Sequence, residues 1–207
     1  MAIKVIIFDM GGVLTKSIFK PYLVELNKRW GVTVEQFRDA RRPFWDAYAK
    51  GLISEKDFWT GILDKLGVKE DYTRFSEGVY SSFVSVPETI ALAKRLKKGY
   101  RLAILSNNSK EWGPFCVKKF GLDEIFDDII LSCDVKVKKP SPEIFLIALK
   151  RLKVKPEECI FIDDKDRNIA AAASLGIKTV KFEEAKQLEK DLACLGMIFD
   201  VFEDFCR

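Results

Sequence analysis

Three apolar runs in this sequence end in polar groups able to do chemistry: "VIIFD" closing on Asp9, "LAILSNN" on Ser106 and Asn107, and "CIFIDD" on Asp163 and Asp164. Carboxylates, a hydroxyl and an amide at the ends of buried segments can hold a cation or an oxyanion. A fourth stretch, "KKPSPEIF", puts Lys138 and Lys139 directly before Pro140. The chain has no histidine. Ser-His-Asp and Cys-His triads and His-ligated metals are therefore excluded, and if the chain is an enzyme, carboxylates and lysines must do the work. The five cysteines (Cys116, Cys133, Cys159, Cys194, Cys206) are odd in number and show no C-x-x-C spacing, so they read as free thiols. Each candidate also has a plainer reading. Asp9 alone could be a turn or cap, Asp163-Asp164 could cap the following helix, and Lys139 could lie on the surface.

The segments that must place these groups form two rhythms. Residues 3–8 read as a strand too apolar to be half-exposed. From about Ile18 to Phe83 the pattern is helical throughout. Ser54 is an expected N-cap, Gly31, Gly51 and Gly67 are expected stops, and Pro43 lies inside the second helix. Trp30, Trp45 and Trp59 give this block apolar surface enough to pack on itself. Here Phe44, Trp45 and Trp59 read as block core, and Arg41 and Arg42 as solvent-facing. After Pro87, strands and helices alternate. "RLAILSNN", "FDDIILS", "ECIFIDD" and "KTVKF" read as strands, and the helix "SKEWGPFCVKKFGL" is expected to break at Gly113-Pro114. A helix with Ile90, Leu92 or Ala93, and Leu96 on one side opens this part, and a short aromatic tail closes it. The alternation predicts an α/β fold, a doubly wound parallel sheet with ligands at the strands' C-terminal ends.

Composition narrows the class further. A chain of 207 residues with 48% hydrophobic residues has enough for one good core and a small insertion. The net charge of +4 comes from 35 basic and 31 acidic residues that are largely interspersed, which fits a solvated surface and no nucleic-acid partner. No apolar run reaches the ~20 residues of a membrane helix. The N-terminus enters a strand almost at once, so a cytoplasmic protein is expected. Nothing in the pattern sets an oligomeric state.

In order and spacing, "FDMGGVL", "LSNN", "KKPSPEIF" and "FIDDKDRN" resemble the four motifs of the haloacid dehalogenase-like (HAD) superfamily, in its phosphatase branch. The resemblance implies a Rossmann-like core over residues 1–16 and 84–207, with a small helical C1-type cap inserted at 17–83. It also implies a phosphomonoester hydrolase acting on a small phosphorylated metabolite. Asp9 would be the nucleophile, forming an aspartyl-phosphate. Mg²⁺ would be held by Asp9, the Gly11 carbonyl and Asp164, with Asp163 a ligand or a partner behind them. Ser106, Asn107 and the backbone at Gly12 would bind phosphate. Lys139, or Lys138 with the register off by one, would balance charge on Asp9 and the phosphate.

One position departs from the pattern. Most phosphatases of this family carry a second aspartate two residues after the nucleophile, to protonate the leaving group; here that residue is Gly11, a variant also found in some relatives that are phosphatases. Such acid–base help is worth roughly 10²–10⁴-fold. A preference for leaving groups that need little protonation is therefore expected, such as those of acyl, aryl or sugar 1-phosphates. Asp166 or a cap residue could substitute as the acid. Two other functions compete: a weakly catalytic phosphate-binding or regulatory protein, and a metal-free 2-haloacid dehalogenase. The doubled carboxylate of the fourth motif argues against the dehalogenase.

Overall fold

A computed structural model of the chain describes residues 2–16 and 19–197. The aromatic tail with Cys206, and the start of the helical block at 17–18, lie outside the described residues. Five strands form one parallel sheet: β1 (Val5–Phe8), β2 (Arg101–Ser106), β3 (Asp128–Leu131), β4 (Cys159–Asp163) and β5 (Lys178–Lys181). Their order is β3-β2-β1-β4-β5. Ile6, Phe8, Ile104, Ile160 and Ile162 pack into the core on one face of the sheet, and Val5, Ile7, Ala103, Leu105 and Phe161 into the core on the other. Both faces are covered, which is why these strands read as unbroken apolar runs without polar alternation.

Strand order also fixes where a ligand can sit. From central β1 the chain fills one side with β2 and β3, then crosses to the other side with β4 and β5. A crevice opens where the winding reverses, at the C-terminal end of β1. Phe8 pairs in register with Ile104 on one side and Ile162 on the other. Asp9, Ser106 and Asp163 therefore leave the sheet at one edge.

Between β1 and β2 run α1 (Phe19–Trp30), α2 (Val34–Ala49), α3 (Glu55–Leu66), α4 (Tyr72–Ser82) and α5 (Pro87–Leu96). Ser54 caps α3 in a reciprocal box with Asp57, and Gly67 ends it with φ +66°. Pro43 lies within α2 without ending it. Along α5, Thr89 is buried with Leu92, Ala93 and Leu96, while the expected Ile90 is only half-buried. After β2 come α6 (Trp112–Lys119), β3, the short α7 (Ser132–Val135), α8 (Pro142–Leu152), β4, α9 (Asp166–Ala173), β5 and α10 (Ala185–Cys194).

The expected break at Gly113-Pro114 is corrected: α6 is continuous and starts at Trp112. Pro114 falls in its first turn, where a missing N–H costs no helical hydrogen bond. Ser109 Oγ accepts from the backbone N–H groups of Glu111 and Trp112 and caps that start.

The four-helix block does more than pack on itself. Trp112, 1% exposed, lies among the block's Tyr48, Phe58 and Trp59, at ring-centroid distances of 5.1, 5.7 and 6.0 Å. Its indole N–H donates to Glu55 Oε1 at 2.8 Å, and Glu55 also accepts from Ser76 and Tyr80. Cys116, Cys133 and Cys159 are buried free thiols and Cys194 is an exposed one. No described helix is long and apolar enough to cross a membrane.

Candidate active site

Asp9 follows β1 directly and is 3% exposed. Its Oδ1 accepts from the Met10 N–H at 2.7 Å and lies 2.9 Å from Lys139 Nζ. The loop beyond folds tightly: Met10 O accepts from the N–H groups of Leu14 and Thr15, and the Gly12 N–H donates to Thr15 O. Gly12 has φ +96°, and a Cβ there would stand 2.5 Å from Asp164 Oδ2. Only glycine lets this loop press against the end of β4.

Lys139 is an internal cation, 1% exposed. Its ammonium donates to Asp163 Oδ2 and to Leu105 O, each at 2.7 Å, and pairs with Asp9 Oδ1. Its three N–H bonds are thereby used. The Asn107 side chain fixes its backbone from both sides, donating to Lys139 O and accepting from Lys139 N, both at 2.8 Å. Lys138 points elsewhere and pairs with Asp46 of α2 at 2.8 Å. Lys139, and not Lys138, is the lysine beside Asp9.

Asp163 is fully buried. Besides Lys139 it accepts from the Lys165 N–H at 2.8 Å and from Asn168 Nδ2 at both oxygens. Burial opposes its ionisation, but Lys139, helped by Asn168 and the Lys165 N–H, outweighs this and holds the carboxyl below the usual range. Asp9 goes the other way: burial pushes its carboxyl up, Lys139 only partly offsets this, and the Asp163 charge adds to the rise. Asp164 is less buried, and its Oδ1 lies 3.1 Å from Lys165 Nζ.

The three aspartates each bring a carboxylate oxygen within 4.8 Å of the others. Hard anionic oxygens, without a histidine or thiolate among them, suit Mg²⁺. Asp163 is saturated with donors, which leaves Asp9 Oδ2 and Asp164 as the carboxylate oxygens best placed to hold an ion.

These groups line a cleft of about 370 Å³ together with Gly11, Gly12, Ser106 and Asn107. Asp163 backs this cleft, and neither of the alternatives raised from the sequence lines it: Lys138 pairs with Asp46, and Asp166, the substitute acid, pairs with Lys181. The cleft also takes in residues the sequence reading did not assign. Arg41 and Trp45 come from α2, with the guanidinium 5.3 Å from the Trp45 ring centroid, and Trp112, Lys165, Arg167 and Asn168 come from the core. Arg41 is half-buried rather than solvent-facing, and Trp45 is a cleft wall as well as block packing, whereas Trp59 is pure core. Burial lowers the Arg41 pKa. The α2 periodicity could have flagged Arg41, which lies four residues before Trp45.

Fold and site together define an α/β protein with a carboxylate–lysine centre at the switch point of its sheet. The chain belongs to the haloacid dehalogenase-like hydrolase family, whose model matches residues 3–176, and it is a hydrolase. It is 39% identical to the glyceraldehyde 3-phosphate phosphatase of Pyrococcus furiosus, over 92% of this chain and 85% of that protein. It is 30% identical to acyl-CoA dehydrogenase family member 10 of Mus musculus over 93% of this chain, which spans only 19% of that protein. A HAD family enzyme from Bacteroides thetaiotaomicron, crystallised with magnesium and inorganic phosphate, matches with a TM-score of 0.72 at 25% identity. That match covers 88% of this chain and 95% of the other.

Proposed function

We propose that this hydrolase is a Mg²⁺-dependent phosphatase that cleaves a small phosphorylated metabolite through an aspartyl-phosphate on Asp9. The observation that carries the reading is the convergence of Asp9, Asp163 and Asp164 within 4.8 Å, with the buried Lys139 ammonium between Asp9 and Asp163. The phosphatase names of relatives, the glyceraldehyde 3-phosphate enzyme among them, support the substrate class. Asp9, the Gly11 carbonyl and Asp164 would hold Mg²⁺, with Asp163 behind them; once bound, the ion neutralises charge between the attacking carboxylate and the phosphoryl group.

Asp9 attacks phosphorus, the bond to the leaving oxygen breaks, and that oxygen takes the electron pair. Lys139 stays on Asp9, orienting the carboxylate for attack and countering the charge that returns to it when the aspartyl-phosphate is hydrolysed. The Ser106 hydroxyl and the Asn107 backbone N–H donate to phosphoryl oxygens, while the Asn107 side chain keeps Lys139 in place. Water then attacks the phosphorus of the aspartyl-phosphate, releasing phosphate and restoring the carboxylate. Residues 17–83 act as the cap over a core of 1–16 and 84–207, presenting Arg41 and Trp45 to the substrate and limiting water in the cleft. Gly11 offers no proton to the leaving oxygen, so solvent supplies it. Aryl and acyl phosphates should therefore turn over faster than alkyl ones.

The test is phosphate release from p-nitrophenyl phosphate, glyceraldehyde 3-phosphate and a metabolite panel, with and without Mg²⁺. Release that requires Mg²⁺ and falls by about 10⁴-fold or more in Asp9→Asn is expected. Equal rates for the wild type and Asp9→Asn on every substrate would defeat the reading.

A further inference from the structure

Two lysines serve the carboxylate cluster, and they are held very differently. The Lys139 ammonium is enclosed and spends its N–H bonds on Asp9, Asp163 and Leu105 O. Lys165 approaches from the open side. Its Nζ lies 3.1 Å from Asp164 Oδ1 and 3.9 Å from Asp9 Oδ2, and its side chain is 45% exposed. Its backbone is nevertheless fixed: the N–H donates to Asp163 Oδ1, and the carbonyl accepts from the N–H groups of Asn168 and Ile169 at the start of α9. A half-exposed side chain on an anchored backbone thus places its ammonium across Asp9 and Asp164, the two side chains assigned to the metal.

Resting on the metal reading above, we propose that Lys165 is the resident counter-ion of this cluster and competes directly with Mg²⁺ for Asp9 and Asp164. An ammonium and a divalent cation repel each other strongly at such separations and cannot share those oxygens. Binding of the ion displaces Lys165, which requires only side-chain rotation because the side chain is about half exposed. The anchored backbone keeps the displaced charge at the cleft. There it faces the dianionic substrate, so metal binding prepares the site for phosphate. Lys165 thereby keeps the acidic cluster balanced in the metal-free protein at the expense of metal affinity.

Isothermal titration of the whole chain with MgCl₂ tests this without recourse to activity. Lys165→Met should bind Mg²⁺ about five- to tenfold more tightly than wild type, as expected for loss of one partly exposed ion-pair competitor. Lys165→Gln should tighten it equally, and Lys165→Arg should stay near wild type. Arg167→Met removes a charge that lines the same cleft without an ion pair to these aspartates, and should change affinity by less than about twofold. Unchanged or weaker binding in Lys165→Met and Lys165→Gln would overturn the competition while leaving the metal reading intact. Equal tightening in Arg167→Met would also overturn it, by showing a long-range charge effect. No Mg²⁺ binding by wild type or by Lys165→Met would overturn both.

Discussion

Gly11 is the residue that most shapes the chemistry expected of this site. Its backbone is outside the left-handed region, and a Cβ built on it meets nothing within 4 Å. The position therefore has room for a side chain at the cleft, and no steric demand explains the glycine. This differs from Gly12, where φ +96° and the 2.5 Å approach to Asp164 demand glycine. Gly11→Asp should fold normally and place a carboxyl group beside Asp9. If the slow step with alkyl phosphates is departure of an unprotonated alkoxide, this variant should speed their hydrolysis by about 10²-fold. Aryl phosphates should gain far less. Steady-state kinetics on glycerol phosphate and p-nitrophenyl phosphate measure the difference, and an equal response of both substrates would show that protonation is not what Gly11 gives up.

At the level of elements, the joint between the helical block and the sheet is the feature with the clearest energetic consequence. Trp112 projects from α6 into an aromatic cluster of the block, and Glu55 at the start of α3 accepts from Trp112, Ser76 and Tyr80. One carboxylate therefore ties α3 and α4 to a helix of the sheet layer. Removing it leaves those donors to find other partners in a half-buried place. Glu55→Ala should cost about 2–4 kcal/mol by urea denaturation, and Glu55→Gln, which keeps an acceptor, far less. Equal stability of the two variants would mean that the packing of Trp112, and not its hydrogen bond, holds the joint. Lys138–Asp46 at 2.8 Å and Ser132 Oγ donating to Ala49 O at 2.5 Å pin the end of α2 to the segment before Lys139 and to the start of α7. The block's wall of the cleft is thus set against the centre it faces.

For the whole molecule, legibility in the sequence follows the range of the forces involved. β1, β2 and β4 were readable because strands buried on both faces must be apolar throughout, and Asp9, Ser106 and Asp163 could be placed because the ends of such strands meet at a switch point. The block's helices were readable from local caps such as Ser54 and Gly67. Trp112 and Lys165 carry no local signal, since their placement depends on how α6 and the turn before α9 dock; Arg41, expected to face solvent, shares its helix face with Trp45, and only the docking of α2 turns that face to the cleft. The α6 misreading has the same origin: Gly113-Pro114 resembles a break until Ser109 is seen capping the turn before it. In the proposed reaction Asp9 itself takes the phosphoryl group. The most direct measurement quenches the Mg²⁺-loaded protein during turnover of p-nitrophenyl phosphate, reduces it with borohydride, and sequences its peptides by mass spectrometry. An acyl phosphate on Asp9 is reduced to homoserine, so homoserine at position 9, dependent on both substrate and Mg²⁺, is the predicted result. Phosphate release with Asp9 recovered unmodified, or homoserine at any other aspartate, would contradict it.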